Sequence, residues 1–355
     1  MAMTITPKSK AGQLADLLRV RLLGGEWSRV LSAERVLAEE YLVSRTTLRA
    51  ALHLLENEGW IGAASSTRSG HAVRRRTPGG RRIAGAGRVV FLTPSLKDDP
   101  VLLQQLGVLR ELLGRSGVQV SVRDAAGFTA HRQPQRELQR IAADHPGAVW
   151  VLHQMPRLVQ LAAQELHLPA LICGSAFAGI ELPSIDVDFR AVARHAAGRC
   201  LSHGLTRFAL LVHRTPLAGN EAIIETVTAE LHHHGVPPPL ILRHDFHRDR
   251  LIGALDRHIV SAATRPDVLL VVNQLHLLTA LSHLLHRQLR IPRDLSLVYL
   301  SNDPSVERLS PLPDRYDLGD RLMRRLAVAL KARLAGDIQH SQRLLPKHLK
   351  GETLA

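Results

Sequence analysis

Apolar residues recur at helical spacing within the first sixty or so positions of the chain. A helix is predicted from Lys10 to Leu23, where the apolar positions follow the i, i+3, i+4, i+8 spacing of one helix face. Those positions are Leu14, Leu17, Leu18 and Leu22. A second, shorter helix is predicted to start near Ser32 as its N-cap and to turn Val36 and Leu37 inward.

A third helix is predicted from Ser44 to Asn57, with the Ser44 hydroxyl as its N-cap. Its inward positions are Leu48, Ala51, Leu52 and Leu55. The first two turns are thereby left with hydroxyl and guanidinium groups on their outer side. Such groups hydrogen-bond phosphates and base edges when a helix N-terminus enters the major groove of DNA. After this helix, Trp60-Ile61 and His71-Ala72-Val73 are predicted to pair as a two-stranded wing.

From Val89 onward, short apolar runs typical of buried strands alternate with amphipathic helical segments. About ten such strands over this length predict two parallel sheets, each covered by helices on both faces. The segment before them is rich in Arg, Gly and Pro and is typical of a flexible linker. We therefore predict an α/β chain: a winged helix-turn-helix over residues 1–73, a basic linker over 74–88, and a two-lobed doubly wound parallel-sheet domain over 89–355.

The charge of the chain indicates an anionic partner. The 355 residues carry a formal net charge of +14, and 45% of them are hydrophobic, which is enough for the cores of two or three domains. The first 76 residues hold 12 Lys or Arg against 7 Asp or Glu. A cationic N-terminal segment of this kind favours nucleic acid as the partner.

Composition also excludes several classes of protein. The two cysteines, Cys173 and Cys200, lie outside any CxxC or metal-binding spacing, which fits a reducing compartment. No apolar run is long enough to span a membrane, and the N-terminal residues lack the apolar core of a signal peptide. We therefore expect a cytoplasmic protein with no membrane partner.

The N-terminal segment resembles the winged-helix domain of GntR-type transcription regulators. The resemblance runs from about Gly12 to Val73 and rests on the motifs Leu31-Ser32-Ala33-Glu34-Arg35, Leu37-Ala38, Ser44-Arg45-Thr46-Thr47-Leu48-Arg49, Ala51-Leu52 and Glu58-Gly59. It implies DNA contacts by Arg35, Arg45, Thr47 and Arg49, and the wing glycine of the family matches Gly70. We add Ser44 and Thr46 from the start of the helix and Arg68 from the wing to the expected DNA-binding residues. Two departures stand out: Ser32-Ala33 replaces a proline-serine pair, and the wing lacks the usual run of glycines.

The segment from about Arg88 to Leu345 resembles the periplasmic-binding-protein-like effector domain of LacI/GalR-type regulators. The matching segments are Val89 to Pro94, Ser184 to Asp188, His203 to Leu211, Pro266 to Asn273 and Ile291 to Val298. The resemblance implies two lobes that close on a small molecule, often a sugar or purine. Where the family has aspartate-asparagine and asparagine-aspartate pairs, this chain has Asp188-Phe189 and Asn273-Gln274. A neutral amide thus replaces a carboxylate that often grips ligand hydroxyls.

Polar residues that follow predicted strands are candidates for the effector pocket, because open parallel sheets bind ligands at the carboxyl ends of their strands. They are Ser95, Asp98, His153, Gln154, Arg214, Asn220, Asn273, Gln274, Asn302 and Asp303. Each taken singly is more often a solvated loop residue, whereas together they converge from five strand ends. The run His232-His233-His234 is interpreted as a solvated helix end, because consecutive helical residues point in different directions.

These features predict a ligand-responsive DNA-binding transcription regulator, a repressor in its simplest form, without enzymatic activity, metal or cofactor. A homodimer on a pseudo-palindromic double-stranded operator is expected, with a sugar-like small molecule as effector. One alternative is a solute-binding protein for a small-molecule transporter, which would need a signal peptide or lipid anchor. Another is an enzyme built on the two-lobed fold, which would need a catalytic constellation in the cleft.

Overall fold

The computed structural model describes residues 9–23, 27, 31–41, 43–57, 60–62, 71, 87–94, 100–125, 128, 134–261, 263, 265–337 and 339–354. Two compact units divide the chain, Met1–Ala84 and Gly85–Ala355. No helix within these described ranges combines the length and the apolar character that crossing a bilayer requires.

The described residues of the first unit form three helices: α1 (Lys10–Leu23), α2 (Glu34–Glu40) and α3 (Arg45–Asn57). One hydrophobic cluster joins them and also takes in Leu31 and Ile61. The inward positions expected for α3 are all buried, namely Leu48, Ala51, Leu52 and Leu55. The predicted helix-turn-helix core is therefore present. Its helices could be predicted from the spacing of apolar residues because each helix buries one apolar stripe.

Three local expectations for this unit were wrong. Leu17 is 55% exposed and Val36 is 44% exposed, so the inward stripes are narrower than predicted. The N-cap of α2 is Ala33, which offers no side-chain cap, and not Ser32. The Ser32 hydroxyl instead accepts a hydrogen bond from Trp27 Nε1 at 3.0 Å. A serine near a helix start can serve a neighbouring indole as well as the helix, and sequence spacing does not distinguish the two uses.

Only the base of the predicted wing lies within the described residues. His71 is buried, and its carbonyl accepts a hydrogen bond from the Leu31 amide at 2.9 Å. The His71 ring lies 3.2 Å from the Gly62 carbonyl through Nδ1. Residues 63–70, 72 and 73 fall outside the described residues, as does the predicted linker apart from Gly87 and Arg88.

The second unit contains two six-stranded sheets with helices between their strands. In chain order its elements are β1 (Arg88–Thr93), α4 (Pro100–Gly114), β2 (Gln119–Asp124), α5 (Pro134–Asp144), β3 (Val149–His153), α6 (Arg157–Glu165), β4 (Ala170–Cys173), β5 (Ser184–Val187), α7 (Phe189–Ser202), β6 (Phe208–His213), α8 (Ala218–His233), β7 (Leu240–His244), α9 (Arg248–Leu255), β8 (Val268–Val271), α10 (Gln274–His286), β9 (Ser296–Tyr299), β10 (Asp314–Asp317), α11 (Arg321–Leu334), β11 (Gln342–Leu344) and β12 (Lys347–Leu349).

The two sheets share one topology. The strand order is β11-β5-β4-β3-β1-β2 in the first and β12-β10-β9-β8-β6-β7 in the second. All pairings are parallel except that of β10 with β12. Each sheet therefore repeats the doubly wound order 2-1-3-4-5, whose strand order reverses between its first and third strands. The predicted two-lobed, doubly wound architecture is confirmed.

The chain crosses between the lobes more than once. It leaves the first sheet after β5 and enters α7, which packs into the core of the second lobe. After β10 it returns, because β11 pairs with β5 in the first sheet. It crosses again to β12, which pairs with β10. The Asp188 amide donates to the Leu344 carbonyl at 2.8 Å, so two of these crossings run side by side. Such paired crossings are natural hinges.

Candidate functional site

The N-terminus of α3 is built by its own capping residue. The Ser44 hydroxyl accepts a hydrogen bond from the Thr47 amide at 3.1 Å and lies 2.8 Å from Thr47 Oγ1. This is an N-cap contact, and it also turns the Thr47 hydroxyl toward Ser44. Val43, just before the cap, packs against the cluster that contains Leu48. The first turn is thereby fixed to the core, and its outer side is left to solvent.

Two of the side chains expected to contact DNA are open to a partner. Arg45 and Thr46 are exposed, and within the described part of the chain neither side chain makes a hydrogen bond or ion pair. A guanidinium and a hydroxyl on the first turn of a helix fit the phosphates and base edges of a major groove.

Two other arginines in this set are held by glutamates. Arg49 Nε donates to Glu34 Oε2 at 2.9 Å, which connects α3 to α2. Arg35 pairs with Glu39 at 3.0 Å one turn along α2, where both side chains are largely exposed. An exposed pair of this kind contributes little to stability, so its arginine is easily released to a phosphate. Arg68 and Gly70, the remaining members of the set, lie outside the described residues.

The first lobe places a buried histidine at the point where its strand order reverses. His153 ends β3 beside β1, is 7% exposed, and lies 3.1 Å from Thr93 Oγ1 through Nδ1. Burial lowers the pKa of His153 to about 4. Its ring is therefore uncharged at neutral pH and acts as a hydrogen-bonding group. The next residue, Gln154, has a positive φ of 49°. Ser95 and Asp98 fall outside the described residues.

The second lobe repeats this arrangement at its own reversal point. His213 ends β6, and His276 lies on the first turn of α10, which follows β8. Their rings stack with centroids 6.3 Å apart, and the ring of Phe246 lies 4.7 Å and 5.0 Å from them. Burial lowers the pKa of His276 to about 4. His276 Nε2 lies 3.2 Å from the Asp245 carbonyl, whereas its buried Nδ1 has no hydrogen-bond partner among the described residues. The result is an edge lined by two imidazole rings and one phenyl ring.

Some predicted pocket residues of the second lobe have side chains that hydrogen-bond to other protein groups, and others have side chains that remain available to a ligand. Gln274 donates to Asp303 Oδ1 at 2.9 Å and to Ser305 Oγ at 2.8 Å. Asn302 donates to Asp317 Oδ1 at 3.1 Å and accepts from Arg315 Nε at 3.0 Å. These amides hold the loop after β9.

Three further predicted residues lie at the carboxyl-end edge of the second sheet. Asn273 caps α10 by accepting a hydrogen bond from the Leu275 amide. Arg214 is mostly exposed and lies 3.9 Å from Asp245. Asn220 is 8% exposed, and its side chain makes no hydrogen bond within the described residues. Asn220 is thus the member of the set whose amide is most available to a ligand.

The lobes meet at a contact that the sequence did not indicate. A Cβ added at Gly219, on the first turn of α8, would lie 3.0 Å from Ser175 Oγ of the first lobe and 2.9 Å from the ring of Phe189. The Ser175 hydroxyl donates to Asp186 Oδ2. Burial raises the pKa of Asp186 to about 6, against the opposing effect of the Ser175 hydrogen bond. The carboxyl ends of β4 and β6 therefore meet here, which brings the edges of the two sheets together.

Sequence reasoning missed several residues of this cleft, namely Thr93, Ser175, Asp186, His213, Gly219, Phe246 and His276. His213 and Phe246 lie at or just beyond the ends of predicted strands and could have been found by the same rule. His276 lies on the first turn of α10, as the predicted residue Gln274 does, and could have been found by extending the rule into that turn. Gly219 matters for the space it leaves, which a sequence does not display.

Two family models match the chain. One, described as bacterial regulatory proteins of the gntR family, matches residues 10–71. The other, described as a periplasmic binding protein-like domain, matches residues 197–350. No curated protein matches the chain.

Several solved structures similar to this chain are described as bacterial transcription regulators. One is a putative LacI transcriptional regulator from Bacillus cereus subsp. cytotoxis, with a TM-score of 0.67 and 18% identity over 76% of this chain and 98% of that one. A second is a PurR family regulator from Vibrio parahaemolyticus, with a TM-score of 0.64 and 14% identity over 76% and 99%. A third is a periplasmic binding protein/LacI regulator from Alkaliphilus metalliredigens complexed with D-xylulofuranose, with a TM-score of 0.63 and 14% identity over 76% and 99%. At these identities the likeness shows the fold.

Proposed function

Because the chain joins a gntR-family DNA-binding domain to a periplasmic-binding-protein-like effector domain, we propose that this ligand-responsive transcription regulator is a dimeric repressor that senses a sugar-like metabolite. The gntR-family domain favours this function over transport by a solute-binding protein. The observation that carries the DNA-binding proposal is the capped N-terminus of α3, which leaves Arg45 and Thr46 unengaged on its outer side.

In the proposed complex, α3 lies in the major groove. Arg45 and Thr46 contact bases or phosphates directly, while Arg35 and Arg49 exchange their glutamate partners for phosphate oxygens. Ser44 and Thr47 hold the first turn in shape, and the segment around Arg68 and Gly70 adds contacts beside the helix. Dimerisation is proposed because one helix of this size reads too few base pairs for a specific site.

The DNA-binding proposal is tested without knowledge of the operator. Duplexes bound by the full chain are selected from a randomised pool, and the affinity of the best duplex is measured by fluorescence anisotropy over a range of salt. We expect Arg45→Ala with Arg49→Ala to lose at least about 10-fold in affinity and to give a shallower salt dependence. Arg248→Ala, an exposed arginine of the effector domain, is the control and should bind as the wild type does. Equal affinity of the double variant would remove α3 from the interface.

The effector is proposed to bind where the carboxyl edges of the two sheets face each other. Support comes from the two matching reversal points, with neutral His153 in one lobe and neutral His276 in the other, and from the available amide of Asn220. A cleft lined by neutral donors, acceptors and aromatic rings suits an uncharged polyol or heterocycle. The relative complexed with D-xylulofuranose makes a ketose the first compound to try.

A thermal-shift screen of sugars, sugar phosphates and nucleosides tests the proposed effector site. A compound that binds the folded state raises the melting temperature in proportion to the logarithm of its concentration. Asn220→Ala should abolish that shift and leave the melting temperature of the free protein nearly unchanged. A shift that survives in Asn220→Ala would place the ligand elsewhere.

A further inference from the structure

Helix α8 starts at the carboxyl edge of the second sheet without a side-chain cap. Leu217 lies at its N-cap position and provides no capping hydrogen bond. The first bond of the helix runs from the Glu221 amide to the Leu217 carbonyl at 3.0 Å. The three preceding amides, those of Ala218, Gly219 and Asn220, have no hydrogen-bond acceptor among the described residues. Their N–H groups therefore face the cleft as free donors.

Two neighbouring helices that start at the same edge are capped. Asp188 caps α7 and Asn273 caps α10, each by accepting a backbone N–H at 3.0 Å. In α8 the free amides of Gly219 and Asn220 belong to buried residues. A buried N–H without an acceptor costs about as much free energy as a lost hydrogen bond. The start of α8 is therefore suited to a ligand that brings acceptors.

The side chain of Asn220 is a second, independent sign of a ligand. It belongs to the buried face of α8, whose other members Ile223, Val227 and Leu231 pack in the core of the second lobe. Asn220 is 8% exposed, and its side-chain amide has no hydrogen-bond partner in the part of the chain that the structure describes. Because the Cα–Cβ bonds of a helix tilt toward its N-terminus, this amide lies on the same side as the free N–H groups. A ligand group at the helix end would meet both.

The first lobe adds a hydroxyl beside this helix end. Ser175 Oγ would lie 3.0 Å from a Cβ at Gly219, so the glycine lets the two lobes approach each other closely here. The Ser175 hydroxyl donates to Asp186 Oδ2. A ligand oxygen at the start of α8 would compete with Asp186 for that hydrogen. The same ligand group would then connect both lobes.

The charge of the helix end suits an anion, because the free N–H groups at a helix N-terminus carry a partial positive charge that favours phosphate. Two carboxylates lie near this end. That of Glu221, on the first turn, is held by Arg243 through two hydrogen bonds of 2.9 Å. That of Asp186 lies beyond the Ser175 hydroxyl, and burial raises its pKa to about 6, so it can take up a proton when an anion approaches.

We propose that the uncapped start of α8 is a subsite for a phosphate group, free or esterified to a sugar. The amides of Ala218, Gly219 and Asn220 and the side chain of Asn220 hold that group. The inference rests on the proposed effector function of the cleft and adds an acidic part to its ligand. The neutral edges around His153 and His276 are left to bind the uncharged part.

Inorganic phosphate is the direct probe, and scanning calorimetry of the full chain is the readout. Phosphate should raise the melting temperature of the second unit above its value in chloride of equal ionic strength. Asn220→Asp keeps the shape of the side chain and adds a negative charge beside the free amides. It should weaken phosphate binding at least about 10-fold, the weight of one hydrogen bond to a charged group. The free variant should melt as wild type does or slightly higher, because an acid on the first turn favours the helix.

A matched control makes the same charge change elsewhere. Gln135→Glu adds a carboxylate on the exposed first turn of α5 and should respond to phosphate as wild type does. Asn220→Ala removes the amide without adding charge and should also bind phosphate about 10-fold more weakly. The calorimetric transition itself shows whether each variant is folded.

Sugar phosphates measured beside inorganic phosphate separate the two sources of the group. A sugar phosphate that acts at lower concentration than inorganic phosphate identifies the esterified ligand, and equal concentrations identify the free ion. Wild type without a phosphate response, or an equal response in both Asn220 variants, would overturn the subsite. A neutral sugar whose response depends on Asn220 would then leave the proposed effector site standing. Wild type that responds to none of these compounds would overturn that proposal as well.

Discussion

Acidification should destabilise the effector domain through its buried histidines, and His276 makes the effect measurable. Burial lowers the pKa of His276 to about 4, from an ordinary value of 6.5, and its backbone hydrogen bond to Asp245 offsets only part of this. At a pH above 6.5 the His276 ring is neutral in both the folded and the unfolded chain. As the pH falls from about 6.5 to 4, the unfolded chain takes up a proton that the folded chain refuses.

The size of the effect follows from that difference. Each pH unit within this window removes about 1.4 kcal/mol from the free energy of unfolding, so about 2 kcal/mol is lost at a pH of about 5. For a domain of this size the loss corresponds to roughly 5 °C in melting temperature. His153, whose pKa is also lowered to about 4, acts in the same direction. Asp186, whose pKa is raised to about 6, acts in the opposite one, because its folded form gains a proton first.

Scanning calorimetry of wild type and of His276→Gln separates the contribution of His276 from those of His153 and Asp186. The glutamine can keep a donor near the Asp245 carbonyl, yet it does not titrate. At a pH of about 7.5 the variant should melt below wild type because the ring packing with His213 and Phe246 is lost. At a pH of about 5 the deficit should shrink by roughly 5 °C. An equal deficit at both pH values would refute the argument. The control is His232→Gln, at the exposed end of α8, which keeps His276 and should follow the melting temperature of wild type at both pH values.

Three further substitutions test the geometry. Gly219→Ala should lower the free energy of unfolding of the second unit by about 1 kcal/mol in denaturant titration, because its Cβ would lie 2.9 Å from the Phe189 ring and 3.0 Å from Ser175 Oγ. Gly253→Ala, at a helical position in open space, is the control and should lose no stability. Ser44→Ala should lower the free energy of unfolding of the first unit by about 1 kcal/mol in denaturant titration through loss of the cap, with Thr46→Ala neutral. Gly351→Ala should cost about 3 kcal/mol or more by the same titration, because its Cβ would lie 2.3 Å from the Leu312 carbonyl oxygen.

Those parts of the fold with apolar periodicity were predictable from the sequence. Helices α1 to α3 and the buried strands other than β5 and β10 follow the predicted segments, because their burial is apolar and regular. Strand β5 reads Ser-Ile-Asp-Val with a buried aspartate and was not among the predicted strands. Strand β10 was missed because its sequence, Asp-Arg-Tyr-Asp, is mostly charged. Its buried charged side chains are compensated by ion-pair or hydrogen-bond partners. Asp314 is 1% exposed and lies 3.0 Å from His348, while Arg315 bonds to Asn302. Strands β11 and β12 have three residues each, too few to show a period.

The structure explains two departures from the effector-domain pattern, Gln274 and Phe189. The amide of Gln274 donates to Asp303 and Ser305, and a carboxylate at position 274 could not donate to either. With Asp303 fully buried at 3% exposure, a second carboxylate there would add a like charge to a dry site. The remaining acceptors, Gln274 Oε1 and Asp303 Oδ2, are buried and have no hydrogen-bond partner in the part of the chain that the structure describes. Phe189 meanwhile lies against Gly219 where the lobes touch. The amide of Gln274 therefore holds the loop after β9, and under the proposed function Asn220 and the two histidine edges are the groups left to recognise the effector.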